Sequence, residues 1–170
     1  MFRPKPAPIY VNARALIERF HDGEHQLVLQ TRDKKHETNK VTELPGGRLK
    51  LFESLFDALK REVKEETGLT VKHIKKQETR LEISNSGKRV ECIEPFAVYQ
   101  TLKGPVDSMG VYFLCRAEGE LLKAGDETSN IAWTSLADVS RHLETSPSSF
   151  SWIDEAALRL YLSKKVGFSS

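Results

Sequence analysis

The order of apolar and polar positions divides the chain into strands and helices in mixed succession. Val11 to Glu18, VNARALIE, reads as a strand; Asp22-Gly23 signals a turn; Gln26 to Thr31, QLVLQT, is the returning strand. Residues 32–42, RDKKHETNKVT, predict a polar loop whose basic residues suit phosphate, although a solvated loop explains each of them equally well. The period then changes. Leu55, Leu59 and Val63 recur every four residues with Phe56 beside them, which predicts an amphipathic helix from about Ser54 to Thr67. Gly68 stops it as a left-handed cap would. Thr70 to Ile74 is a short strand. Thr79 to Ser84 and Arg89 to Gln100 flank Asn85-Ser86-Gly87 as a hairpin, with Pro95 marking an edge position or a bulge. Gly110 to Ala117, GVYFLCRA, is apolar enough for a central strand, residues 118–130 read as a polar loop, and Ile131 to Thr134 is a short strand.

Ser135 caps a helix to about His142, with Leu136, Val139 and Leu143 on its apolar side. After Ser151, the spacing of Ile153, Ala156, Ala157, Leu160 and Tyr161 gives a last helix a face to pack on a sheet. Residues 1–9, with three prolines, predict an extended lead-in, and the chain from Lys164 a frayed tail. Hairpins mixed with helices predict an α/β fold, a mixed sheet sandwiched between helices.

Composition narrows the setting. A chain of 170 residues suits one domain, 1–170, with a full-sized core. A net charge of +2 gives no reason to expect nucleic acid or an acidic membrane as partner. No apolar run reaches transmembrane length, and the start, MFRPKPAPIY, lacks a signal-peptide core. Cys92 and Cys115 fit a reduced, cytoplasmic setting better than a disulfide framework, and the five histidines lack zinc-site spacing.

The chemistry is concentrated in Gly47 to Leu69, GRLKLFESLFDALKREVKEETGL. Pro45, Gly46 and Gly47 predict a tight loop where backbone approaches a ligand closely. In the helix that follows, Glu62, Glu65 and Glu66 stand three and four positions apart, so three carboxylates share one flank. Glu66 falls seven residues after Leu59, almost in line with the apolar stripe. A carboxylate partly desolvated beside two others is unfavourable without a cation, and hard divalent ions are the natural counterion. The bland alternative is a solvated acidic face with Asp57–Arg61 and Arg61–Glu65 as surface pairs.

Written as a pattern, the stretch is G-x5-E-x7-R-E-U-x-E-E-x-G-U with U aliphatic, and every specified position is filled. Seven fixed and two aliphatic positions coincide by chance about once in 10^9 windows at average residue usage. This is the Nudix box, and with Glu43-Leu44-Pro45-Gly46 before it the chain resembles a Nudix hydrolase. The resemblance implies the α/β/α Nudix fold and hydrolysis by water of a nucleoside diphosphate linked to another group, with Mg²⁺ or Mn²⁺ as cofactor. It makes Glu62, Glu65 and Glu66 the metal ligands, joined by the carbonyl of Gly46 or Gly47. Arg61 would hold the carboxylates in place and Glu53 would support the cluster, directly or through water. The base is left open, with Glu62 and Glu127 leading. Relatives often carry an acid in the loop before the strand bearing a tryptophan, here Gly125 to Asn130 before Trp133. Asn130 stands where many have a second Glu.

Arg32 and Arg48 are candidates for phosphate contact, and Phe96, Tyr99 and Tyr112 for base stacking, although sheet packing explains each aromatic better. No subfamily marker fixes the substrate: Ser84 to Gly87 carries neither the proline nor the tyrosine some subfamilies place after the box. A nucleotide-binding sensor without turnover is the alternative; it often loses box glutamates, and none is lost here. An isomerase of the isopentenyl diphosphate type needs a catalytic cysteine and metal histidines that have no clear counterparts. A homodimer is compatible with the sequence.

Overall fold

The computed structural model describes residues 8–34 and 39–166. The expected lead-in therefore lies almost wholly outside the described residues, as do the middle of the polar loop after Arg32 and the last four residues of the expected tail.

β1 (Tyr10–His21) and β2 (Glu24–Arg32) form the first hairpin, in register from Glu18↔Leu27 to His21↔Glu24. Asp22 and Gly23 both take positive φ, 49° and 80°, as the two-residue turn matching strand twist requires. Ala13 to Ile17 are all buried, so β1 is covered on both faces. β3 (Thr42–Glu43) pairs with β2, and β4 (Gly46–Arg48) pairs with β1. α1 (Leu55–Thr67) follows, then β5 (Thr70–Ile74), β6 (Leu81–Asn85), β7 (Lys88–Cys92), β8 (Ala97–Gln100), β9 (Ser108–Glu118), β10 (Ala124–Gly125), β11 (Thr128–Ser135), α2 (Leu136–Thr145) and α3 (Trp152–Val166). The main sheet runs β10-β11-β2-β1-β9-β5; β1 and β9 are parallel and their other neighbours antiparallel, so the sheet is mixed.

Two cores result. On one face Ala13, Ala15, Ile17 and Phe113 receive Phe56, Leu59 and Val63 of α1. On the other, Leu16, Leu27 and Tyr112 receive Val139 and Leu143 of α2 and Leu158 and Tyr161 of α3. This is the expected α/β/α sandwich. Among the described residues no helix is long and apolar enough to cross a membrane.

Several local expectations are corrected. The run Arg89 to Gln100 is not one strand with a bulge. Pro95 has no N–H to give a ladder, and the chain leaves β7, which pairs with β6 outside the main sheet, to rejoin at Phe96, whose N–H reaches Tyr112 O at 2.9 Å. Residues 118–130 are not all loop: β10 and β11 make a hairpin, and β11 begins at Thr128 because it ladders onto β2. The buried face of α3 is rotated from the apolar stripe. Leu160 is 41% exposed, whereas Asp154, Ala157, Leu158 and Tyr161 are buried. A charged residue in the core moves the face, and its partners decide it. The helix also continues past Lys164 to Val166.

Candidate active site

α1 is built as its sequence requires. Ser54 caps it, its hydroxyl accepting from Asp57 N at 3.1 Å, and Gly68 ends it at φ 81°. Val63, Leu59 and Phe56 enter the core, and the flank beside them carries Glu62 against Gly47 and Glu66 against Gly46.

From Gly46 the segment Glu43 to Arg48 is a short strand, β4, rather than the expected tight loop. Gly46, at φ 139°, lies so close to β1 that a Cβ on it would stand 2.3 Å from Ala13 O. The glycine serves backbone packing against a strand. A Cβ on Gly47 would stand 2.6 Å from the Glu62 carboxylate. The pair of glycines thus lets main chain pass between β1 and an acid of the box.

The box carboxylates fall into two groups. Arg61 gathers the first. Its Nε and Nη2 donate to the two oxygens of Glu53 at 2.7 and 2.8 Å, its Nη1 donates to Glu62 and reaches Glu65 at 3.3 Å, and its Nη2 meets Arg48 O at 3.1 Å. The hydrogen bonds from Arg61 hold the Glu53 carboxyl down at about 2. Glu66 forms the second group. Its Oε2 accepts from Gly46 N and from Gln30 Nε2, both at 2.8 Å. Burial pushes this carboxyl up to about 8 although both donors favour its charged form. Gln30 Oε1 and Glu43 Oε2 are buried there without a hydrogen bond.

Behind the segment stands a buried network. Arg14 Nε and Nη2 donate to Asp154 at 2.8 and 2.6 Å; the same guanidinium donates to Leu44 O at 2.5 Å and Gly46 O at 3.3 Å. Asp154 also accepts from Leu44 N at 3.1 Å, and the Tyr112 hydroxyl lies 2.8 Å from its Oδ1. Arg14 is raised above its ordinary value: desolvation opposes this, and the charges of Asp154 and Glu43 outweigh it. Burial also raises Glu43, whose Oε2 lies 3.6 Å from Arg14 and 3.8 Å from Arg32. Sequence reasoning assigned none of these roles. The available signals were a lone arginine inside the apolar run of β1 and an aspartate three, four and seven residues before Ala157, Leu158 and Tyr161.

The remaining candidates are placed as follows. The Arg48 guanidinium covers the Tyr10 ring at 3.7 Å. Glu127, at φ 52°, pairs with Lys34 at 2.8 Å with its side chain 53% exposed, while the neighbouring Asp126 N bonds to Glu65 O at 3.2 Å. The hairpin tip thus abuts the end of α1. Tyr112, Tyr99 and Phe96 are held in packing: Tyr99 against Tyr112, its hydroxyl accepting from Asn12, and Phe96 against Tyr161.

Among the described residues no three acids, histidines or cysteines converge on one point as a closed metal cage. The donor set nonetheless fits an oxygen-seeking dication. It consists of carboxylate and carbonyl oxygens, and burial disfavours the charged form of the Glu66 carboxyl, a cost that a nearby cation would offset.

The family model described as the NUDIX domain matches residues 11–156. The fold is similar to the NUDIX domain of Shewanella oneidensis NrtR complexed with ADP ribose (TM-score 0.67, 16% identity, 96% of this chain and 93% of that one). It is also similar to a MutT NUDIX hydrolase from Burkholderia pseudomallei (TM-score 0.60, 17% identity, 90% and 98%). A MutT/nudix family protein from Enterococcus faecalis matches at TM-score 0.57 and 21% identity over 79% of this chain; there the chain spans 47%, about half, of the longer protein. No curated protein matches the sequence.

Proposed function

The chain belongs to the Nudix family, and from that premise we propose that it is a Mg²⁺- or Mn²⁺-dependent pyrophosphohydrolase acting on a nucleoside diphosphate linked to another group. The observation that carries this reading is the flank of α1: Glu62 lies against Gly47, Glu66 binds the backbone of Gly46, and Glu65 stands between them in sequence. Glu62, Glu65, Glu66 and the Gly46 carbonyl would hold the cation. When bound, it neutralises the diphosphate and lowers the pKa of a bound water.

The other residues act around that set. Arg61 fixes the orientation of Glu62, and Glu53 fixes Arg61 through both of its oxygens. Glu62 is the proposed base, because it is 16% exposed beside the glycine backbone, whereas Glu127 is 53% exposed and salt-bridged to Lys34. Arg32 and Arg48 flank the segment and are the proposed contacts for the distal phosphate. The ligand class draws support from the ADP ribose held by the NrtR domain.

The test is a panel of nucleoside triphosphates, dinucleotides, nucleotide sugars and ADP-ribose. Turnover of at least one member is expected with Mg²⁺ or Mn²⁺, lost with chelator and restored by the ion. Full activity in excess EDTA refutes the metal mechanism.

A further inference from the structure

Between Gly47 and α1 the chain makes a tight turn, closed by Glu53 N bonding to Lys50 O at 3.0 Å. Leu51 and Phe52 occupy its two central positions, and Phe52 has φ 59°. The third position of such a turn calls for glycine, and a bulky aromatic there is a conformational outlier. Among the described residues, the other non-glycine residues of positive φ are Asp22, Lys76, Ser86, Glu127 and Asn130, all polar. Phe52 is also 98% exposed and Leu51 88%. Two bulky apolar side chains therefore stand in solvent, one on a strained backbone, with no packing to compensate either cost.

The surroundings keep the strain in place. Glu53 is clamped by Arg61, Lys50 N bonds to Glu53 Oε2 at 2.9 Å, and Arg48 O is held by the same guanidinium. The turn is thus tied by one arginine to Glu62, and its tip begins one residue from Glu53. Lys50 opens the turn, and Arg48 two residues before it lies over the Tyr10 ring. An exposed aromatic next in sequence to Glu53, fixed through Arg61 to the carboxylate cluster proposed to handle phosphate, matches a ligand with an anionic end and a flat apolar end.

We propose that Leu51 and Phe52 form an apolar lip that stacks on the nucleobase of the substrate, with Phe52 determining specificity for base-bearing over base-free diphosphates. This rests on the reading of the site as one for nucleoside diphosphates. The lip supplies affinity for the base and takes no part in the bond cleavage. A residue kept for folding at this position would be glycine, so stability and ligand preference should respond to substitution in different ways.

The experiment is calorimetric titration of ADP and of inorganic pyrophosphate, each with Mg²⁺, into the wild type, Phe52→Gly and Phe52→Trp, with melting curves and light scattering for each. The wild type is expected to favour ADP by about tenfold, the scale of one base–aromatic stack. Phe52→Gly should lose that preference, keep its pyrophosphate affinity and melt no lower than the wild type. Phe52→Trp should restore the preference. An ADP-to-pyrophosphate ratio unchanged in Phe52→Gly overturns the proposal. So does a change of self-association with the ratio intact, which would make the lip an interface between copies. A wild type that binds pyrophosphate and ADP equally sinks the lip alone, whereas one that binds neither sinks the diphosphate reading beneath it.

Discussion

Replacing Asp154 by alanine tests whether a helix distant in sequence holds the site segment in place. Asp154 is 0% exposed and accepts from Arg14, Leu44 N and the Tyr112 hydroxyl. Its loss leaves the Arg14 guanidinium, 4% exposed, with the carbonyls of Leu44 and Gly46 and with Glu43 at 3.6 Å as the nearest remaining carboxylate, and leaves Leu44 N without its acceptor. Removing one partner of a buried, hydrogen-bonded pair costs about 3–5 kcal/mol. For a chain of this size each kcal/mol lowers Tm by about 2–4 °C, so a fall of roughly 6–20 °C is expected. Urea denaturation followed by circular dichroism gives the free energy, and calorimetry gives Tm. Glu155→Ala on the same helix is the control: its pair with Arg159 is partly exposed on both sides and is worth at most about 1 kcal/mol. The double variant Arg14→Met, Asp154→Leu should regain part of the loss, because both members of the buried Arg14–Asp154 pair are removed together, while Glu43 keeps Arg32 at 3.8 Å as its remaining cation. A loss below about 1 kcal/mol in Asp154→Ala would refute the assignment of the network as the support of Leu44 and Gly46.

Two further outcomes follow from the site. Glu65→Gln should fold, lose turnover by roughly 10^2 or more (about 3 kcal/mol on the barrier), and show a smaller rise of Tm on adding Mg²⁺. Unchanged turnover with the same Mg²⁺ response would make Glu65 a surface acid, and lost turnover with undiminished metal response would separate it from the cation. With Glu62 as base, Glu127→Gln and Asp126→Asn should each leave kcat within about threefold, whereas a loss of tenfold or more confined to Glu127→Gln would move the base or a ligand to the hairpin tip.

The sequence by itself determined whatever depends on neighbours along the chain. The four-residue recurrence of Leu55, Leu59 and Val63 set the buried side of α1, and with it the common flank of Glu62, Glu65 and Glu66. Ser54 and Gly68 set its ends, and Asp22-Gly23 set the first hairpin. These are periods and backbone preferences read within a few residues, and the burial of Glu66 followed from the same period. Tertiary structure decided what required distant partners. Arg14 meets Asp154 across 140 positions and Gln30 meets Glu66 across 36, and no local pattern encodes either pairing. The strands at β3 and the start of β11 exist because β2 supplies their ladder bonds, and β10 exists because β11 supplies its own; the short sequences there gave no period of their own. The buried face of α3 likewise shifted from Leu160 toward Asp154 because a guanidinium in β1 satisfies its charge. A carboxylate enters a core only where the fold brings it a partner, and that choice is made between elements, after each has formed.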